Sequence, residues 1–304
     1  MPNFSIEVSP ADDLIDVPRR IIVRGAHPGE PVRISSVTLR NGAQWQSSAC
    51  YIADAYGNVD VSMNPAIDGD YYGIDPMGLL WSQQPVQAGR RDNFHSDVMA
   101  PLVTTLTVSS LDQPGLARCT PASTELVQRL AAEGVIRREI REEGLVGSLF
   151  LPATPGPHPA VMIVNGSGGG INEPRAALYA SRGYAAFALA YFKAPGLSNY
   201  ISNTPLEYFE RGLDWLRAEV QPLHDFVAIS GQSRGGELVL LLGATFPQKV
   251  SAVLAYVPSA LVHSGQNAAD PAVGGTGDTQ TGIQHHNPQG RGGRTGHHTD
   301  EQQA

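Results

Sequence analysis

The sequence predicts an all-β sandwich over residues 1–118, followed by an α/β region over residues 135–264 built on a mostly parallel sheet. Three observations predict this. Short β-branched runs separated by turn signals fill the first region. In the second, apolar strands alternate with helical segments, the pattern of a sheet covered by helices on both faces. The third is a Gly231-x-Ser233-x-Gly235 turn between an apolar strand and a helix.

In the first region, Arg20 to Arg24 and Val32 to Leu39 read as strands, with a His27-Pro28-Gly29 turn between them. Trp45 to Ala53 and Asn58 to Met63 follow, split by Tyr56-Gly57-Asn58. Leu102 to Val108 alternates Val, Thr and Leu and suits a pleated strand. Regular short strands of this kind argue for a sandwich. Over residues 119–134, Leu126, Val127 and Leu130 fall at helical spacing and Gly134 ends the run. This reads as a linker helix from Thr120 to Glu133.

Val135 to Arg141 and Leu145 to Leu151 form a hairpin about Glu143-Gly144. Ala160 to Val164 is a buried strand that runs into Asn165-Gly166-Ser167-Gly168-Gly169-Gly170. A helix then extends to Arg182, and Tyr184 to Ala190 is the next strand. Thr204 and Glu207 have capping-box spacing, with Pro205 in the first turn of a helix. Phe226 to Ser230 is a strand, Glu237 to Thr245 a helix and Val250 to Val257 a last strand. From Gly265 onward, Gly, Gln, Thr and His dominate and large aliphatic residues nearly vanish, so residues 265–304 read as a disordered tail.

Composition narrows the function. The 304 residues suit roughly two domains of about 150 residues each. The net charge of −8 and the lack of a Lys/Arg-rich run argue against nucleic acid as a partner. Cys50 and Cys119 lie far apart, without metal-ligand spacing, and read as free buried thiols. The amino terminus carries no signal-peptide pattern, and apolar runs such as Leu238 to Leu242 fall far short of the ~20 residues that span a bilayer. The expectation is a cytoplasmic protein without a membrane span.

The chemistry centres on Ser233. A strand–Gly-x-Ser-x-Gly–helix turn is a nucleophile elbow, so tight that the residues flanking the serine must be small. The helix amino terminus favours negative charge developing nearby. An oxyanion hole then needs the amide after the nucleophile, Arg234, and one from the earlier glycine-rich loop, near Ser167 or Gly168. A dinucleotide loop is the rival reading of that segment, but Ile171 stands where its third glycine belongs. These features define an α/β-hydrolase domain. In that fold an acid and then a histidine follow the nucleophile in the chain. Only one strand can be placed after Ser233, so the domain reads as incomplete at its carboxyl end. His263 is the best-placed candidate base, with no neighbour in the sequence to orient it. His285, His286, His297 and His298 read as solvated residues of the tail.

Several motifs resemble the acyl-CoA thioesterase / bile acid-CoA:amino acid N-acyltransferase family. In the first half these are Trp45 to Ala49, Ala53 to Val59 and Tyr72 to Trp81. In the second they are Gly183 to Phe192, Pro205 to Glu210 and the elbow itself. The resemblance covers most of residues 10–265. It implies an immunoglobulin-like amino-terminal sandwich, an acyl-CoA substrate and no cofactor beyond the coenzyme A of that substrate. Ser233 would attack the thioester, release coenzyme A and pass the acyl group to water or to an amino acid. Transferase members tend to carry cysteine at the elbow, so serine favours hydrolysis. Other esterases of the same fold, and a non-catalytic acyl-CoA-binding protein, are the competing expectations. The family's acid and histidine have no matching motif here, and the likeness stops near Ala269 to Val273. A truncated or frameshifted carboxyl end with little turnover is therefore expected.

Overall fold

The computed structural model describes residues 3–88, 97–111 and 119–263, together with the backbone of Ile283–Gln284. The expected disordered tail lies outside the described residues except for that dipeptide, which pairs in parallel with Thr204–Pro205.

The first region forms two sheets over one core. Ser5–Ser9, Arg20–Arg24 and Val59–Asp60 make a three-stranded sheet. The larger sheet is centred on Pro31–Arg40, which pairs antiparallel with Ala43–Ile52 on one side and Leu102–Ser110 on the other. Both expected long strands are present, and they alternate buried and exposed residues over much of their length. Ile21 and Val23 from the small sheet share one core with Val32, Ile34, Tyr51, Leu106 and Val108 from the large one.

The linker helix is overturned. Ala122–Arg129 is a strand, paired antiparallel with Leu102–Ser110 and parallel with Asp12–Leu14. The sandwich therefore continues past residue 118 to Arg129. Leu126 and Leu130 serve a helix at i, i+4 and a strand at i, i+4 equally well, and a short segment cannot choose between these periods. Two strand edges with unpaired backbone groups decide it, because each offers the segment a hydrogen-bonded ladder.

The second region holds a six-stranded sheet. Its strands are β1 (Ile136–Ile140), β2 (Val146–Leu151), β3 (Ala160–Val164), β4 (Ala185–Ala190), β5 (Val227–Gln232) and β6 (Ala252–Tyr256). Their spatial order is β1-β2-β4-β3-β5-β6, with β2 antiparallel to both neighbours and β3, β4, β5 and β6 parallel. Helices α1 (Glu173–Ser181), α2 (Leu206–Val220) and α3 (Arg234–Thr245) cover it. Strand alternation sorts the two faces. Met162, Phe187 and Ile229 meet Phe209 and Leu213 of α2 and Leu238 of α3. Val161, Ile163, Ala186 and Ala228 meet Ala176, Ala177 and Ala180 of α1. Leu130 and Ala131, just past the sandwich, join that second cluster, and Ser181 Oγ accepts from Ala132 N at 2.8 Å.

The capping box is also corrected. Pro205 occupies the N-cap of α2 and makes no side-chain cap bond. Thr204 sits one residue too early, because its backbone belongs to the short ladder with Ile283. Glu207 is then at the second helical position rather than the third.

Candidate active site

β5 ends at Gln232 and α3 begins at Arg234, leaving Ser233 alone at the turn with φ 54° and ψ −120°. A non-glycine residue holds such angles only where its surroundings force them. Here the forcing is close approach of backbone. A methyl group at Gly231 would lie 2.1 Å from Gly235 O, and one at Gly235 would lie 2.5 Å from Asn165 O. Ser233 N donates to Tyr256 O at 2.9 Å, and Glu237 N donates to Ser233 O at 3.0 Å. The small flanking residues expected from the sequence are thus sterically required.

The glycine-rich loop after β3 abuts the elbow. A methyl group at Gly166 would lie 2.9 Å from Gln232 O and 3.3 Å from Ser233 Cβ. Gly166 is a further requirement of the site, and its place in the glycine run was its only sequence signal. Asn165 fixes the loop. Its Nδ2 donates to Gly169 O at 2.7 Å and its Oδ1 accepts from Gly166 N at 3.0 Å. Tyr191 Oη donates to Asn165 O at 3.0 Å. Burial pushes the Tyr191 phenol well above its ordinary range, so it stays a neutral donor. On the other flank Arg175 Nη2 donates to Gln232 Oε1 at 2.5 Å and stacks 4.6 Å above the Tyr256 ring.

Ser167, Ser233, Arg234, Glu237 and His263 border one cleft of about 420 Å³. Four of the residues singled out in the sequence are therefore brought together. Gly168 follows Ser167, and a methyl group there would meet nothing within 4 Å. Arg234 opens α3, where helix amides point away from the helix body toward the space before it. Ser167 and Arg234, on two separate segments, thus border the same cleft as the serine.

His263 has an orienting partner, contrary to the sequence expectation. Its Nδ1 lies 3.0 Å from Glu237 Oε2, and its backbone N donates to Glu237 Oε1 at 2.7 Å. Glu237 is 5% exposed and also accepts from Arg234 Nη1, at 3.0 Å to each oxygen. Arg234 Nη2 donates to the backbone His263 O at 2.9 Å, closing a ring of three residues. Glu237 was missed because it lies one helical turn after Ser233, where an acidic residue also reads as complementing the helix dipole. The tail histidines lie outside the described residues.

A serine elbow at the carboxyl end of a sheet ordered 1-2-4-3-5-6, with an adjoining glycine-rich loop, defines an α/β-hydrolase. The family follows from comparison with known proteins. Residues 16–142 match the acyl-CoA thioester hydrolase/BAAT N-terminal region, and residues 204–289 match the BAAT / acyl-CoA thioester hydrolase C terminal. The chain belongs to this family. The second match runs past Val273, where the sequence alone placed the end of the likeness. Acyl-coenzyme A thioesterase 1 of Mus musculus is 37% identical over 242 residues, covering 79% of this chain and 57% of that protein. Acyl-coenzyme A thioesterase 2, mitochondrial, of Homo sapiens is 36% identical over 265 residues, covering 85% of this chain and 54% of that protein. The chain thus spans a little over half the length of the curated relatives it matches. Among the described residues no helix is long and apolar enough to cross a membrane.

Proposed function

We propose that the protein hydrolyses acyl-CoA thioesters through an acyl-enzyme on Ser233. The observation that carries this reading is the strained serine at the elbow, sharing one cleft with Ser167, Arg234 and the His263–Glu237 pair. His263 serves as general base. Glu237 accepts a hydrogen bond from Nδ1–H, which leaves the Nε2 lone pair for the serine hydroxyl. Ser233 Oγ adds to the thioester carbonyl as its proton passes to His263. The oxyanion is met by the amide of Arg234 and by one from the Ser167–Gly168 segment. The C–S bond then breaks, and coenzyme A takes the proton from His263 and departs as the thiol. Water, deprotonated by the same imidazole, releases the acid and restores Ser233. In chain order the set runs Ser233, Glu237, His263, the order of nucleophile, acid and histidine in this fold. A cytoplasmic location and a fatty acyl chain complete the proposal.

The test is coenzyme A release from a panel of acyl-CoAs by the full chain, beside simple aryl esters. Release confined to acyl-CoAs and abolished by Ser233→Ala is expected. Faster turnover of aryl esters would move the protein to another esterase class. Binding of acyl-CoA without release would make it a binding protein built on a hydrolase frame.

A further inference from the structure

The sandwich holds a cluster that the hydrolase reading does not use. His27 and Glu30 bound the turn before the long strand Pro31–Arg40, and Cys119 lies just before Ala122–Arg129. One ligand-type atom of each residue lies within 4.8 Å of the other two. Glu30 and Cys119 are each 3% exposed. Spacing in the sequence hides this set, because the turn and Cys119 are 89 residues apart and only the fold joins them.

Three features make the cluster more than a chance meeting of polar groups. His27 Nε2 is buried and has no hydrogen-bond partner among the described residues. Glu30 is a buried carboxylate, and among the described residues no Lys or Arg forms an ion pair with it. A buried anion without a countercharge is costly, and hydrogen bonds offset only part of that cost. Finally, the carboxylate is held from outside. Its Oε1 accepts from Ser110 Oγ at 2.7 Å, and that hydroxyl accepts from Cys119 N at 3.1 Å. Oε2 accepts from His27 N at 2.7 Å and faces the thiol, whose Sγ lies 3.8 Å from it and 3.5 Å from Gly25 O. Two donors on one tetrahedral zinc, each about 2.0–2.3 Å from it, stand about 3.3–3.8 Å apart.

We propose that His27, Glu30 and Cys119 form a binding site for a divalent transition-metal cation of the zinc class. Imidazole nitrogen, carboxylate oxygen and thiolate sulfur are its preferred donors, with water in the fourth position. Binding displaces the thiol proton to solvent and places positive charge against Glu30. Ser110 orients the carboxylate from behind. The cation ties the turn at His27 to the approach of Ala122–Arg129, so its role is structural. It lies in the sandwich and is independent of Ser233.

The experiment uses the full chain, stripped of metal and titrated with Co²⁺ and then Zn²⁺. One Co²⁺ per chain is expected, with a thiolate-to-metal charge-transfer band in the near ultraviolet that Zn²⁺ displaces. Cys119→Ser should remove the band, while Cys50→Ser should keep it. His27→Gln should weaken binding without touching a thiol, and Ser110→Ala should weaken it by about 10–100-fold. Zn²⁺ should raise the Tm of the wild-type chain and leave that of His27→Gln and Cys119→Ser unchanged. Because those two substitutions are chemically unrelated, a folding defect in one leaves the other as the test. Co²⁺ binding without a thiolate band would assign the metal to other histidines, such as those of the tail, and overturn the site. A band that survives Cys119→Ser would overturn it as well.

Discussion

The two sides of the cleft are built differently. β3, β4 and β5 are buried at every residue except Gln232, and they lead into the glycine-rich loop and Ser233. β6 and the segment after it, which carry His263, are mostly open: Val257 is 83% exposed and Leu261 72%. The serine is therefore positioned by a dense interior, where a displaced backbone collides with its neighbours. The histidine is positioned by hydrogen bonds to the Glu237 carboxylate and from Arg234. Packing fixes Ser233, and polar contacts fix His263.

Four expected outcomes sharpen or break this contrast. Ser233→Ala should remove coenzyme A release entirely while leaving the Tm near wild type; retained release would place the chemistry elsewhere. On the other side, His263→Ala should lower kcat by about 10²–10⁴-fold, the usual contribution of a positioned acid–base group. Glu237→Gln should lower it by less, and Glu237→Ala should also make the chain after Val257 more open to limited proteolysis. If proteolysis is unchanged in Glu237→Ala, polar contacts do not hold the base side.

Stability gives the third outcome. Gly235→Ala brings a methyl group to within 2.5 Å of Asn165 O and should cost about 1–3 kcal/mol, as overpacked interiors do. Val257→Ala, on the exposed side, should stay within about 0.5 kcal/mol. Denaturant melts of the two variants check this, and equal losses would erase the contrast.

The smallest effect belongs to the sandwich. Arg129 bonds Asp12 through two nitrogens at 2.7 Å and holds the Asp12 carboxyl below the usual carboxylate range. A folded-state pKa below the unfolded value gives stability that is present above pH ~4 and lost as the pH falls through the lowered value. The pair is exposed, so Asp12→Asn should cost only about 0.2–1 kcal/mol near neutral pH. That difference should shrink in acid melts; a difference that grew in acid would contradict the ion pair.

Much of this was legible in the sequence because it is local. The elbow needs five residues, Gly231 to Gly235, and its sterics act within one turn. The strands of the hydrolase sheet announce themselves as buried apolar runs such as Ala160–Val164 and Ala185–Ala190. The segment over 119–134 failed for the converse reason: its residues fit a helix or a strand, and partners far away in the chain chose the strand.

What the sequence determined by itself is the order of strands and helices in the hydrolase region, the serine at the turn and the family to which the chain belongs. Only the tertiary structure decided which groups meet. Glu237 and His263 are 26 residues apart, and His27 and Cys119 are 92 apart. Such contacts depend on where the chain returns in space, and no local pattern of residues encodes that distance.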